Sequence, residues 1–120
     1  MNNIHYLQKS AFDGQKIAFD TGGKQLVFLM VKAAFCGWCK KMAPDFQAAA
    51  DMLSDKVVFA SIRADDGTED EKEIAKNIQQ YIPDFKGYPH LALYKNGVRI
   101  MDQPTGRSKD ELVAFLRKYL

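Results

Sequence analysis

The chain has 120 residues, 47% of them hydrophobic and 27% charged, with a formal net charge of +2. That length supports one hydrophobic core and a single domain spanning residues 1–120. The small charge, with no basic run longer than two residues, argues against nucleic acid as a partner, and no apolar run approaches membrane-spanning length, so no membrane contact is expected either.

In chain order, Ile4 to Leu7 is short and part apolar, as an edge strand would be. From Gln8 to Phe19, the apolar Phe12, Ile17 and Phe19 fall irregularly around Gly14, which predicts a weak or broken helix. Thr21-Gly22-Gly23-Lys24 is a stop signal. Gln25 to Lys32 is an apolar run with Val27, Phe28 and Val31, the pattern of a strand covered on both faces. A helix starts near Cys36, with Met42, Phe46, Ala49 and Leu53 at spacings of four, three and four. Pro44 lies inside it and should kink it by removing a hydrogen bond to the preceding turn.

Val57 to Ile62 reads as a second buried strand. The acidic stretch Asp65 to Glu71 then runs into a helix, capped by Thr68 or Asp66, with its carboxylates at the positive helix end. Its spacing does not match a calcium-binding EF-hand. Ile74, Ile78, Tyr81 and Ile82 form the inner face of that helix, and Pro83 ends it. Asn96-Gly97 between Leu91–Lys95 and Val98–Met101 is a two-residue type I′ hairpin turn. Ser108, with Glu111 three residues on, caps a last helix whose stripe is Leu112, Phe115, Leu116 and Tyr119.

The only two cysteines, Cys36 and Cys39, stand two residues apart where a buried strand meets a helix. Two are too few for a disulfide scaffold, so the pair points to redox chemistry or a metal. At a helix N-cap, the unpaired N–H groups and the helix dipole favour a thiolate at Cys36. Cys39 would lie one turn on, on the same face and shielded by the helix. Cys36 would attack a disulfide to give a mixed disulfide, and Cys39 would then attack Cys36 and release the reduced product. Run backwards, the steps oxidise a dithiol. His5 and His90 bring the possible zinc ligands to a Cys₂His₂ count, but the spacing is not that of a finger, so neither metal nor cofactor is expected.

The element order β-α-β-α-β-α-β-β-α and these residues together resemble the thioredoxin superfamily over nearly the whole chain. Cys36-Gly37-Trp38-Cys39-Lys40 matches its active-site pattern, Ala43-Pro44 its helix-kinking proline, and Gly106 the glycine before its last helix. Tyr88-Pro89 falls where the family keeps a cis-proline ahead of the hairpin. The flank from Cys39 to Phe46, and Gly87-Tyr88-Pro89, look more like a protein disulfide isomerase domain than a bacterial thioredoxin. The resemblance implies an α/β fold with a central mixed sheet flanked by helices. It also implies protein disulfides or dithiols as substrates, a recycling reductase or oxidant, and a monomer.

Two positions depart from the family. Trp38 stands where thioredoxins carry proline and isomerases histidine, which implies a redox potential between the two and an apolar contact for an unfolded substrate. Met30, six residues before Cys36, replaces the buried acid that accepts the proton of the resolving cysteine. Lys32 points the same way by strand parity but has the wrong charge for a base. Arg107 matches an arginine that isomerase domains bring to the resolving cysteine; the alternative is a solvated side chain at a helix start. Pro89 in the cis form would set Tyr88 backbone groups beside Cys36 for an extended substrate; the alternative is a trans turn. His90 is either a packed ring or a group that tunes the thiolate.

The residues therefore predict a thiol–disulfide oxidoreductase. The alternative is a thioredoxin-fold binding module whose cysteines act as a redox switch. Met1 to Leu7 lacks a basic n-region and no apolar stretch follows, so a cytoplasmic location is expected. The isomerase-like flanks point instead to an oxidising setting, and the direction of electron flow stays open.

Overall fold

The structure is a computed structural model and describes residues 3–120. Its elements are β1 (Ile4–Tyr6), β2 (Phe12–Asp13), β3 (Lys16–Ile17), β4 (Leu26–Lys32), α1 (Gly37–Leu53), β5 (Val57–Arg63), α2 (Glu69–Lys76), α3 (Ile78–Tyr81), β6 (His90–Lys95), β7 (Val98–Ile100) and α4 (Lys109–Arg117). One sheet runs β1-β5-β4-β6-β7. β1 and β4 pair with β5 in parallel; β6 pairs antiparallel with both β4 and β7.

Strand parity builds two cores. Leu26, Phe28 and Met30 face one side, where Met42, Phe46, Ala49 and Leu53 of α1 meet Leu112, Phe115 and Leu116 of α4. Val27, Leu29 and Val31 face the other, against Ile74, Ile78 and Ile82. The first six residues of β4 are all buried, because helices cover both faces of a central strand. The mixed sheet flanked by helices is the expected fold class. Pro44 lies within α1, which runs on through it. The β6–β7 turn has Asn96 at φ 52° and Gly97 at φ 82°, the two positive angles a type I′ turn requires.

Two segments differ from the sequence expectation. The weak helix expected over 8–19 is a single 3-10 turn at Lys9–Ala11 followed by the β2–β3 hairpin. Gly14 takes φ 60° at the first of the two loop residues, and Phe12 and Ile17 then pair across the hairpin and bury together. The apolar spacing there was that of a short hairpin rather than a broken helix. The helix expected to run to Pro83 is interrupted at Asn77, which separates α2 from α3.

Glu71 ties the β5–α2 connection together. Its side chain is fully buried, and its carboxylate accepts from Arg63 N (2.9 Å), Arg63 Nη2 (2.6 Å) and Thr68 N (2.9 Å). Thr68 Oγ1 in turn accepts from Glu71 N, completing a capping box. Arg63 lies 3.7 Å over the Tyr6 ring, so β1 joins the same cluster. Burial alone would push the Glu71 carboxyl up, but the hydrogen bonds from Arg63 and Thr68 outweigh it and hold it below its ordinary value. The clamp therefore stabilises the fold above the ordinary carboxyl range and is lost as pH falls through it. Glu71→Ala, which strands two backbone N–H groups and a guanidinium, should lower unfolding free energy by about 3 kcal/mol. Urea denaturation at neutral pH checks this, and a loss under about 1 kcal/mol would show the clamp to be ornamental.

Candidate active site

The end of β4 delivers the chain through Ala33 to Cys36, the N-cap of α1. Cys36 is extended (φ −89°, ψ 110°), and its Sγ accepts a hydrogen bond from Cys39 N at 3.1 Å. A cysteine thus fills the place usually held by Ser, Thr or Asp, with its sulfur facing a free helix N–H. Cys36 keeps 9% of its surface in solvent and Cys39 only 2%. Both are free thiols packed with Ala33, Ala64 and Tyr88. Burial, and then the hydrogen bond with Cys36, push the Cys39 thiol up to about 11; Lys32 pulls it the other way through its charge.

Register explains what surrounds the pair. Val31 pairs with His90 and Lys32 with Arg63, so the residues just before β6 and just after β5 come level with the Cys36 loop. Ala64 N donates to Lys32 O, and Ala34 N donates to Asp65 Oδ1, pinning the β5 side. On the β6 side the Tyr88–Pro89 peptide bond is cis, and Tyr88 packs against the cysteines. Trp38 is 64% exposed on the first turn of α1, with Lys41 Nζ 5.3 Å from its ring centre.

Met30 is buried in the core shared with α1 and α4, and carries no carboxyl group. It lines a cavity of about 450 Å³ with Lys32, Lys40 and Ser61, and Ser61 Oγ donates to Met30 O. Arg107 is exposed and lines the depression beside Trp38. His90 is half-buried, 5.3 Å ring to ring from Phe85, with Nε2 3.8 Å from Asp84. Burial pushes its imidazole down, and Arg99 adds to this while Asp84 opposes it. Its nearest charges therefore belong to the Asp84–Arg99 pair. Among the described residues, no group of three or more His, Cys, Asp or Glu side chains is placed to hold a metal ion, and no helix is long and apolar enough to cross a membrane.

The thioredoxin family model matches residues 3–118. This chain belongs to that family. A thioredoxin-like protein of Invertebrate iridescent virus 6 is 34% identical, covering 94% of this chain and 91% of its own. Protein disulfide-isomerase 1 of Dictyostelium discoideum is 35% identical over 84% of this chain, but the chain spans only 27% of that relative's length. The first thioredoxin domain of mouse Protein disulfide-isomerase A4 superposes with a TM-score of 0.72 at 27% identity, covering 98% of this chain and 76% of that domain's. The thioredoxin fold and two adjacent cysteines place the chain in a family of thiol–disulfide oxidoreductases.

Two contributors to this thioredoxin-family site escaped the sequence reading. Phe35 is 73% exposed and sets its ring edge-on to Tyr88, 5.8 Å centre to centre. An aromatic residue directly before the first cysteine was the available signal, but nothing in the sequence says which way it points. Asp65 looked like part of an acidic helix start, and only the fold turns it onto Ala34. In Cys36→Ser, which keeps a capping oxygen, thiolate absorbance should report a Cys39 midpoint well above the ordinary thiol range. A midpoint inside that range would overturn burial as the governing cause.

Proposed function

We propose that the chain exchanges a Cys36–Cys39 dithiol with disulfides in proteins, as a monomer formed of one domain. The observation that carries this reading is the inequality of the two sulfurs. Cys36 keeps 9% of its surface in solvent and its Sγ accepts from the Cys39 N–H at 3.1 Å, while Cys39 keeps only 2%. The Cys36 thiolate attacks one sulfur of a substrate disulfide. That S–S bond breaks, a mixed disulfide forms, and the departing substrate sulfur takes up a proton. Cys39 then gives up its proton, attacks Cys36 Sγ and expels the second substrate thiol. The substrate has gained two electrons and two protons, and the chain holds a Cys36–Cys39 disulfide. A dithiol reductase reverses this last change. A disulfide oxidant, acting on the reduced form, would drive the cycle the other way.

Cys36→Ser should abolish insulin reduction, whereas Cys39→Ser should accumulate mixed disulfides visible as mass adducts. Trapping only in Cys36→Ser would exchange the two roles. Wild type no faster than either variant would leave a binding module as the better account.

The second step is the harder one, because Cys39 is buried and Met30 stands where the family carries a carboxylate. Single-turnover resolution should therefore rise about tenfold per pH unit between neutrality and pH 9, following the Cys39 thiolate fraction. Met30→Asp should raise the neutral-pH rate and flatten that slope, while burying a carboxyl at a stability cost of a few kcal/mol, roughly. An unchanged profile would mean that another group already accepts the proton.

A further inference from the structure

The surface beside the cysteines has a sign. One depression, about 270 Å³, runs along Trp38 and Lys41 above Asp45; another, about 440 Å³, opens between Lys86, Pro89 and His90. Arg107 is the wall the two depressions share, and together they are termed the furrow. Trp38 lies two residues from Cys36, and Pro89 follows the Tyr88 that packs on both cysteines. Each depression therefore includes a residue close to the cysteines, Trp38 in the one and Pro89 in the other.

Its charges are unbalanced. Lys41, Lys86 and Arg107 are exposed, and none of the three enters an ion pair among the described residues. Of the carboxylates, Asp84 is held in a two-pronged pair by Arg99 at 2.9 and 3.0 Å, which cancels its charge. Asp45 accepts from Lys109 N at 3.0 Å and is, among the described residues, the one lining carboxylate without a cationic partner. His90 adds no charge at neutral pH, since burial pushes its imidazole down. Asp65 lines neither depression; its carboxylate accepts from Ala34 N, and its charge acts on Tyr88. Three free cations thus line a furrow whose apolar anchor is Trp38.

We infer that the furrow selects peptide segments whose disulfide-bonded cysteine is flanked by Asp or Glu, with Lys86 and Arg107 as the specificity-determining residues. The inference rests on the reading of Cys36 and Cys39 as the reacting pair and names the substrate class for it. Exposed ion pairs are individually weak and screened by salt, so the selection is a preference of about 3- to 10-fold at low ionic strength.

The test uses two short peptides, each closed by one internal disulfide and differing only in Asp or Lys beside the cysteines. Their kcat/KM values are each divided by that peptide's own rate with dithiothreitol, which removes the intrinsic effect of the flanking charge on the disulfide. In parallel, the same peptides with serine for cysteine are titrated against the fluorescence of Trp38, the only tryptophan in the chain. The Asp peptide should be favoured in both measurements, with the ratio falling toward one in about 0.5 M salt and in Lys86→Gln/Arg107→Gln. A ratio at or below one in wild type, or one that persists in the double variant, overturns the inference. If both peptides are reduced equally, the redox reading stands and the charge selection fails. If neither is reduced but Trp38 still reports tighter binding of the Asp peptide, the furrow's selection stands and the redox reading fails.

Discussion

Everything at the redox face depends on where β4 stops. The strand is locked in register on both sides, to β5 through Lys32–Arg63 and to β6 through Val31–His90. A one-residue slip would exchange the side chains packed in the two cores, Leu26, Phe28 and Met30 against Val27, Leu29 and Val31. The chain leaves that fixed edge and reaches the α1 N-cap within four residues, so the position of Cys36 is dictated by the sheet. The same pairing brings the Tyr88–Pro89 turn and the Ala64–Asp65 turn to the same end. Rigid β-structure places three loops round one sulfur.

The two sulfurs then differ for a simple reason. Cys36 sits at the boundary between helix and solvent, while Cys39 faces inward one turn later onto Ala33 and Ala64. Burial holds Cys39 in its neutral form, and the apolar Met30 does nothing to relieve it. A buried thiol is a poor nucleophile but a stable reserve. In the proposed cycle it reacts only when a mixed disulfide on its neighbour presents an electrophile within reach. Trp38, Lys41, Lys86 and Arg107, which line the proposed furrow, are exposed side chains that can vary without disturbing the core.

Much of this was readable in advance. The continuous apolar run from Leu26, the helix stripe from Met42, the Asn96-Gly97 turn and the Ser108–Glu111 capping box are local signals, and each is resolved by residues within a few positions of one another. The hairpin at Phe12–Ile17 was misread because its strands are two residues long, too short for alternation to show. The break at Asn77 was missed because the inner face of α2 and α3 continues across it, with Ile74 and Ile78 both buried on the same core. For the site, the cysteine pair, Trp38 and the Tyr88-Pro89 step could be named from the chain. The exposure of Phe35, the binding of Asp65 to Ala34 and the neutralisation of Asp84 by Arg99 could not.

Sequence alone determined the identity and spacing of the cysteines, the strand that precedes them and the helix that follows, because strand periodicity, helix periodicity and capping are written in neighbouring residues. Only the tertiary structure decided that Phe35 turns outward, that Asp65 binds Ala34 N, and that Asp84 lies silent beside Arg99 while Lys86 and Arg107 have no ion pair among the described residues. Those outcomes depend on pairings between residues far apart in the chain, and long-range register is a property of the packed sheet.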